Sequence, residues 1–113
     1  MNNRQRGKFW CLKSKQNLEK AGWRVDNCET WSSATRQSRD LFNIADLAAW
    51  HPDHGFKLIQ VTARAAISAR RNKIHAEQPG MCSVVPIEIH GWWREPGKRD
   101  FQCKIERVRE PMT

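Results

Sequence analysis

Apolar and polar positions along the chain change period several times, and each change marks an element. From Lys8 to Ala21, Trp10, Ser14, Leu18 and Ala21 fall on one helical stripe with Cys11 beside them, while Lys8, Lys13, Lys15 and Lys20 lie off it. This spacing predicts an amphipathic helix ended by Gly22. Trp23 to Trp31 then alternates as a strand does, and Ser32 to Arg39 reads as a polar loop. Leu41 to Trp50 and Phe56 to Ala63 are strand-like runs separated by His51-Pro52-Asp53-His54-Gly55, residues that turns require, and together they predict a hairpin.

Helical composition returns from Ala65 to Glu77 and stops before Pro79-Gly80, with Ile67 and Ile74 on one stripe and Arg64, Ser68, Arg71 and His75 on another. Ser83 to Trp93 and Phe101 to Val108 alternate again, joined by a turn at Glu95-Pro96-Gly97-Lys98. Pro86 has no N–H for a ladder, so it belongs at a strand start or on an edge. The expected order is helix, three strands, helix, two strands, without internal repeats.

A chain of 113 residues holds one domain, 1–113, in which residues 1–6 and 109–113 are expected to be flexible tails. No apolar run approaches the roughly 20 residues that cross a bilayer, and none follows the basic start as a signal peptide would, so no membrane partner and a cytoplasmic address are expected. Twenty Lys and Arg against twelve Asp and Glu give a formal charge of +8. Such an excess favours a polyanionic partner, nucleic acid first, although simple solubility also accounts for charge of one sign. Cys11, Cys28, Cys82 and Cys103 lie far apart with no Cys-x-x-Cys pair, which reads as reduced thiols rather than a zinc frame. His51 and His54 read as turn residues.

A hairpin turn centred on Asp53 pairs residues whose numbers sum to 106, which sets Asp46 directly across from Gln60. Period two then carries Thr62 and Arg64 onto that face. An ionised carboxylate on a buried strand is costly unless it is paired or binds a cation. Two readings stay open: Asp46 accepts hydrogen bonds from Gln60, Thr62 or Arg64 and fixes register, or Asp46 and Gln60 supply oxygens to Mg2+ or Mn2+. Asp40 is the other nearby acid. Arg64, Ser68, Arg70, Arg71 and Lys73 cluster on the second helix as candidate phosphate contacts. Alternation puts Trp92 on the polar face, where three readings stay open: it stacks on an unpaired base, packs against a second subunit, or packs beneath the first helix.

The order of elements, with Asp46 followed by Gln60-Val61-Thr62, resembles the PD-(D/E)XK nuclease superfamily and its small resolvase-like members of phages and mobile elements, over about Lys8 to Val108. The resemblance implies an α/β fold with a restriction-endonuclease-like αβββαβ core, a mixed central sheet and an extra C-terminal strand. By it, Asp46 corresponds to the metal-binding aspartate, Gln60 to the second acidic ligand and Thr62 to the lysine supporting the attacking water, with Arg64 a migrated substitute for that charge. The family glutamate near the start of the first helix has no counterpart here. The function so implied is a metal-dependent DNA endonuclease acting on double-stranded or branched DNA, with a homodimer as an expected assembly. The alternative is a catalytically inactive DNA-binding module of the same fold.

Overall fold

The computed structural model describes residues 2–111. Helix α1 (Asn3–Lys20) opens with a reciprocal cap, in which the Asn2 side chain accepts from the Gln5 N–H and the Gln5 side chain accepts from the Asn2 N–H. This cap carries the helix five residues upstream of Lys8, so residues 3–6, expected as tail, are helical. At the other end Trp23 N–H donates to the Leu18 carbonyl and Gly22 N–H to that of Glu19, with Gly22 at φ +93°. That paired closure stops the helix at the glycine.

Strands β1 (Arg24–Asn27), β2 (Thr30–Ser32), β3 (Gln37–Arg39), β4 (Leu47–His51) and β5 (Gly55–Ala63) follow in turn. A 3-10 turn at Arg64–Ala66 leads into α2 (Ile67–Glu77), and a second at Met81–Ser83 precedes β6 (Ile87–Trp93) and β7 (Gln102–Arg107). Five strands form one sheet in the order β1-β4-β5-β6-β7, antiparallel except for β5 and β6, which run parallel through the α2 crossover. The protein is thus an α/β domain with a mixed five-stranded sheet and two helices. Among the described residues no helix is long and apolar enough to cross a membrane.

Strand period two divides the core between the two faces. Leu47, Ala49, Ile59, Val61 and Trp92 pack under α1 through Leu18, while Leu58, Ile87 and Ile89 pack under α2 through Ile67 and Ile74. Gly91 is required where α2 begins, since a Cβ there would stand 2.5 Å from Cδ1 of Ile67 and 3.0 Å from Cα of Arg64.

Four expected elements are corrected. Trp23 to Trp31 is not one strand, because the chain leaves β1 at Asn27 and re-pairs Thr30–Ser32 with Gln37–Arg39 as a separate ribbon, so the expected loop contains β3. Leu41 to Asp46 is not strand, because Phe42 and Asn43 both take positive φ in a tight turn that Ile44 N–H closes onto the Leu41 carbonyl. The second helix starts at Ile67, and Arg64 lies in the preceding 3-10 turn rather than on the strand. Strand β6 starts after Pro86 instead of at Ser83, since the chain first makes a 3-10 turn there.

Candidate functional site

The hairpin register holds as the sequence predicts: Leu47 pairs with Ile59 and Trp50 with Phe56, around a three-residue turn, Pro52-Asp53-His54, followed by Gly55 with φ +82°. Asp46 stands one residue before β4, where the chain turns away and β5 continues. Its Oδ2 accepts hydrogen bonds from Gln60 Nε2 and from the Val61 backbone N–H, both at 2.7 Å. The carboxylate thereby satisfies a strand amide that β4 has left without a backbone partner. Backbone bonds from Asp46 N–H to the Ile59 carbonyl and from Cys28 N–H to the Asp46 carbonyl lock the residue from both sides.

Two further acids reach this point through the β2–β3 ribbon. Thr30 pairs with Arg39 at its base, so Glu29 enters and Asp40 leaves side by side. Carboxylate oxygens of Glu29, Asp40 and Asp46 all lie within 4.8 Å of one another. Asp46 is 8% exposed, and its pKa is pushed up to about 7, first by burial and then by repulsion from Asp40 and Glu29, against the lowering bond from Val61. Burial and the same three carboxylates push the Cys11 thiol up to about 12, which leaves it protonated and unsuited to nucleophilic chemistry.

Gln60 is 2% exposed, and its Oε1 has no hydrogen-bond partner. The three carboxylates constitute an all-oxygen donor set, which suits a hard divalent cation and not a soft one. A cation would also relieve the repulsion that raises Asp46. The three carboxylates therefore fit a hard divalent cation.

Glu29 and Asp46 line a groove of about 1010 Å³ whose opposite wall is α1. Arg4, Lys8, Cys11 and Lys15 line it from the helix, with Glu29, Trp31, Asp46 and Val61 across from them. Among the described residues none of these three cations has a carboxylate partner. The guanidinium of Arg4 sits 5.8 Å from the centroid of the exposed Trp31 ring. A basic wall over an acidic floor is the charge arrangement by which a phosphodiester could be held against a cation.

Asp46 and Gln60 are thus brought together as expected, and the other candidates are dispersed. Thr62 is buried, paired with Gly91 of β6, and carries no charge. Arg64 is exposed and stacks 4.3 Å from the Trp93 ring centroid. Arg71 is engaged by Glu106 in a two-pronged ion pair at 2.7 and 2.9 Å, and with Ser68, Arg70 and Lys73 it belongs to α2, across the sheet from the groove. Trp92 is corrected as a nucleic-acid contact and takes the alternative of packing beneath the first helix: it is 4% exposed in the core under α1, donating from Nε1 to Ser14 Oγ at 2.9 Å.

That bond belongs to a buried relay. Besides accepting from Trp92, Ser14 Oγ is hydrogen-bonded with His90 Nδ1 at 3.0 Å, and His90 Nε2 with Glu88 Oε1 at 3.1 Å. Lys57 closes the relay on Glu88 at 3.0 Å. Burial acts to raise Glu88, but the bonds from His90 and Lys57 outweigh it and hold the carboxyl below its usual range. The order serine, histidine, acid is that of a hydrolase triad, yet Ser14 is fully buried and no substrate can reach it. Its role is to pin α1 to the sheet.

Sequence reasoning missed Glu29 and the basic wall. A signal for the wall was present: Arg4, Lys8, Cys11 and Lys15 recur at helical spacing of four, three and four. Glu29 had none, because only the unforeseen ribbon brings it to Asp46. Compared with protein-family models, curated proteins and solved structures, the chain matches none.

Proposed function

We propose that the protein is a metal-dependent DNA endonuclease of the PD-(D/E)XK type. The observation that carries this reading is the convergence of Glu29, Asp40 and Asp46 beside a groove wall bearing Arg4, Lys8 and Lys15. The element order supports it as well, being α1, the antiparallel strands β1, β4 and β5, the α2 crossover and a parallel β6, with β7 as the additional strand. In this reading these elements correspond to a restriction-endonuclease-like αβββαβ core, with the β2–β3 ribbon as an insertion.

In this reading Asp46, Asp40 and Glu29 hold a magnesium or manganese ion, and Gln60 adds a neutral oxygen in place of the family's second acid. Such an ion lowers the pKa of a bound water and stabilises charge developing on a phosphodiester. Lys8 and Lys15, rather than Thr62 or Arg64, supply positive charge over the acids, while Arg4 and Trp31 hold the strand at the groove mouth. Glu29 takes the place of the acid that the family draws from its first helix.

A second reading, a DNA-binding module without cleavage, is favoured by one specific observation: the Gln60 amide donates to Asp46, as a purely structural pair would. Incubating supercoiled, linear and branched DNA with the protein in Mg2+ or Mn2+, beside Asp46→Asn, separates the two. Metal-dependent nicking abolished by Asp46→Asn is the expected result. Salt-sensitive binding that Lys8→Ala and Lys15→Ala weaken, without cleavage in either metal, supports the module instead. Absence of both sinks the nucleic-acid assignment.

A further inference from the structure

A second cluster of ligating side chains lies on the other side of the molecule, where α2 ends. His75 belongs to the last turn of α2, Cys82 to the 3-10 turn at Met81–Ser83, and Glu110 to the segment after β7. One ligand atom from each lies within 4.8 Å of the others. The convergence has local causes. Gly80, at φ +79°, reverses the chain after α2, and Met81 N–H donates to the Gln78 carbonyl, which tucks Cys82 into the core beneath the helix. Buried Val108 fastens its N–H to the Ile87 carbonyl and delivers Glu110 two residues later. Glu110 Oε1 already accepts from Cys82 Sγ at 3.5 Å and from Ser83 Oγ.

We propose that His75, Cys82 and Glu110 form a zinc site that fastens the segment after β7 to the C-terminal end of α2. The donor set is one imidazole nitrogen, one sulfur and one carboxylate oxygen, drawn from three separate segments. Imidazole and thiolate suit zinc, unlike the all-oxygen groove, which suits a hard ion. On binding, the thiol proton of Cys82 passes to solvent and its sulfur takes the ion, so that thiolate and carboxylate together cancel the charge of Zn2+. Bonds of about 2.0–2.3 Å at tetrahedral angles put ligand atoms about 3.5 Å apart, the separation that Cys82 Sγ and Glu110 Oε1 already have. Three protein ligands leave the fourth position to water. This site stands independently of any action on DNA.

The test uses the full chain with cobalt(II) as a spectroscopic stand-in. One equivalent of Co2+ is expected to give a near-ultraviolet thiolate-to-metal charge-transfer band with the strong visible bands of a tetrahedral site, and one equivalent of Zn2+ to bleach both. Cys82→Ser removes the charge-transfer band, whereas Cys11→Ser, which alters the thiol beside the groove acids, keeps it. Should Cys82→Ser fail to fold, Glu110→Gln provides the same test from an exposed position that leaves the core intact, and it weakens Zn2+ binding by about tenfold or more in competition with a chromophoric chelator. A wild-type chain without the band, a band lost in Cys11→Ser, or Glu110→Gln binding as tightly as wild type overturns the proposal.

Discussion

Asp46 and Gln60 meet across the point where β4 and β5 separate, with the Gln60 amide donating to the Asp46 carboxylate at 2.7 Å and the Val61 N–H donating to the same oxygen. One carboxylate thus serves as a structural plug in the ladder and as the most buried acid of a three-acid cluster. Substitutions here have opposite effects according to which role they remove.

Asp46→Asn preserves an acceptor for the Val61 N–H and deletes one of three repelling charges. At neutral pH and without divalent metal its stability is expected to equal or exceed that of the native chain. Asp46→Ala orphans both donors and costs about 2–4 kcal/mol. Urea midpoints of the three proteins in chelator give the comparison; an Asn variant as damaged as the Ala variant would contradict the repulsion argument.

The raised Asp46 also sets a pH dependence. Its ordinary value is 3.8 and its folded value about 7, so within that window the native state binds more protons than the unfolded chain. Stability therefore falls as pH rises from about 4 to about 7, by up to a few kcal/mol, and levels above that. Metal-free denaturation across this range should show the decline in the native protein and a flatter profile in Asp46→Asn.

Gln60→Glu places a fourth carboxylate against Asp46 in a buried position. Without metal it should lower the melting temperature, because two adjacent buried charges cannot both be tolerated. Addition of Mn2+ should restore more of that loss than it adds to the native protein. Thermal unfolding with and without Mn2+ reads the difference, and equal metal responses in both proteins would remove Gln60 from the ligand set.

Ser14→Ala strips partners from Trp92 Nε1 and His90 Nδ1 together, both of them buried. A loss of about 2 kcal/mol or more is expected in chemical denaturation. Trp92→Ala should cost about 3–5 kcal/mol through the cavity it leaves. If Trp92→Ala instead kept full stability and lost only DNA affinity, its placement in the core would be wrong.

Gly91→Ala forces a methyl group to within 2.5 Å of Ile67 Cδ1 and 3.0 Å of the Arg64 backbone. The expected cost is about 1–3 kcal/mol, because the backbone at Arg64 cannot give way as a flexible side chain can. A shift of the urea midpoint at constant slope would confirm a change confined to native packing.

Locally encoded features were legible in the chain. The stripe of Ser14 and Leu18, the turn at Pro52-Asp53-His54 and the alternation of β5 and β6 each follow from short-range spacing, and the hairpin fixes the pairing that sets Asp46 against Gln60. Asn43 was a turn signal hidden among apolar neighbours, and only the positive φ it shares with Phe42 ends the expected strand there. Alternation put Trp92 on the face opposite Ile87 and Ile89, where it lies, but that face is closed over Val61 and Ile59 by a helix whose serine supplies the polar partner the indole needs.

Taken alone, the amino-acid order determined the body of both helices, the β4–β5 hairpin register and the single pair at its end, since each depends on residues close together in the chain. Only the tertiary structure decided that Glu29 and Asp40 join Asp46, that the basic wall comes from α1 rather than α2, and that His75, Cys82 and Glu110 converge. Those groups come from segments far apart in sequence, and their meeting depends on how a ribbon, a crossover helix and the segment after β7 pack, which no local period records.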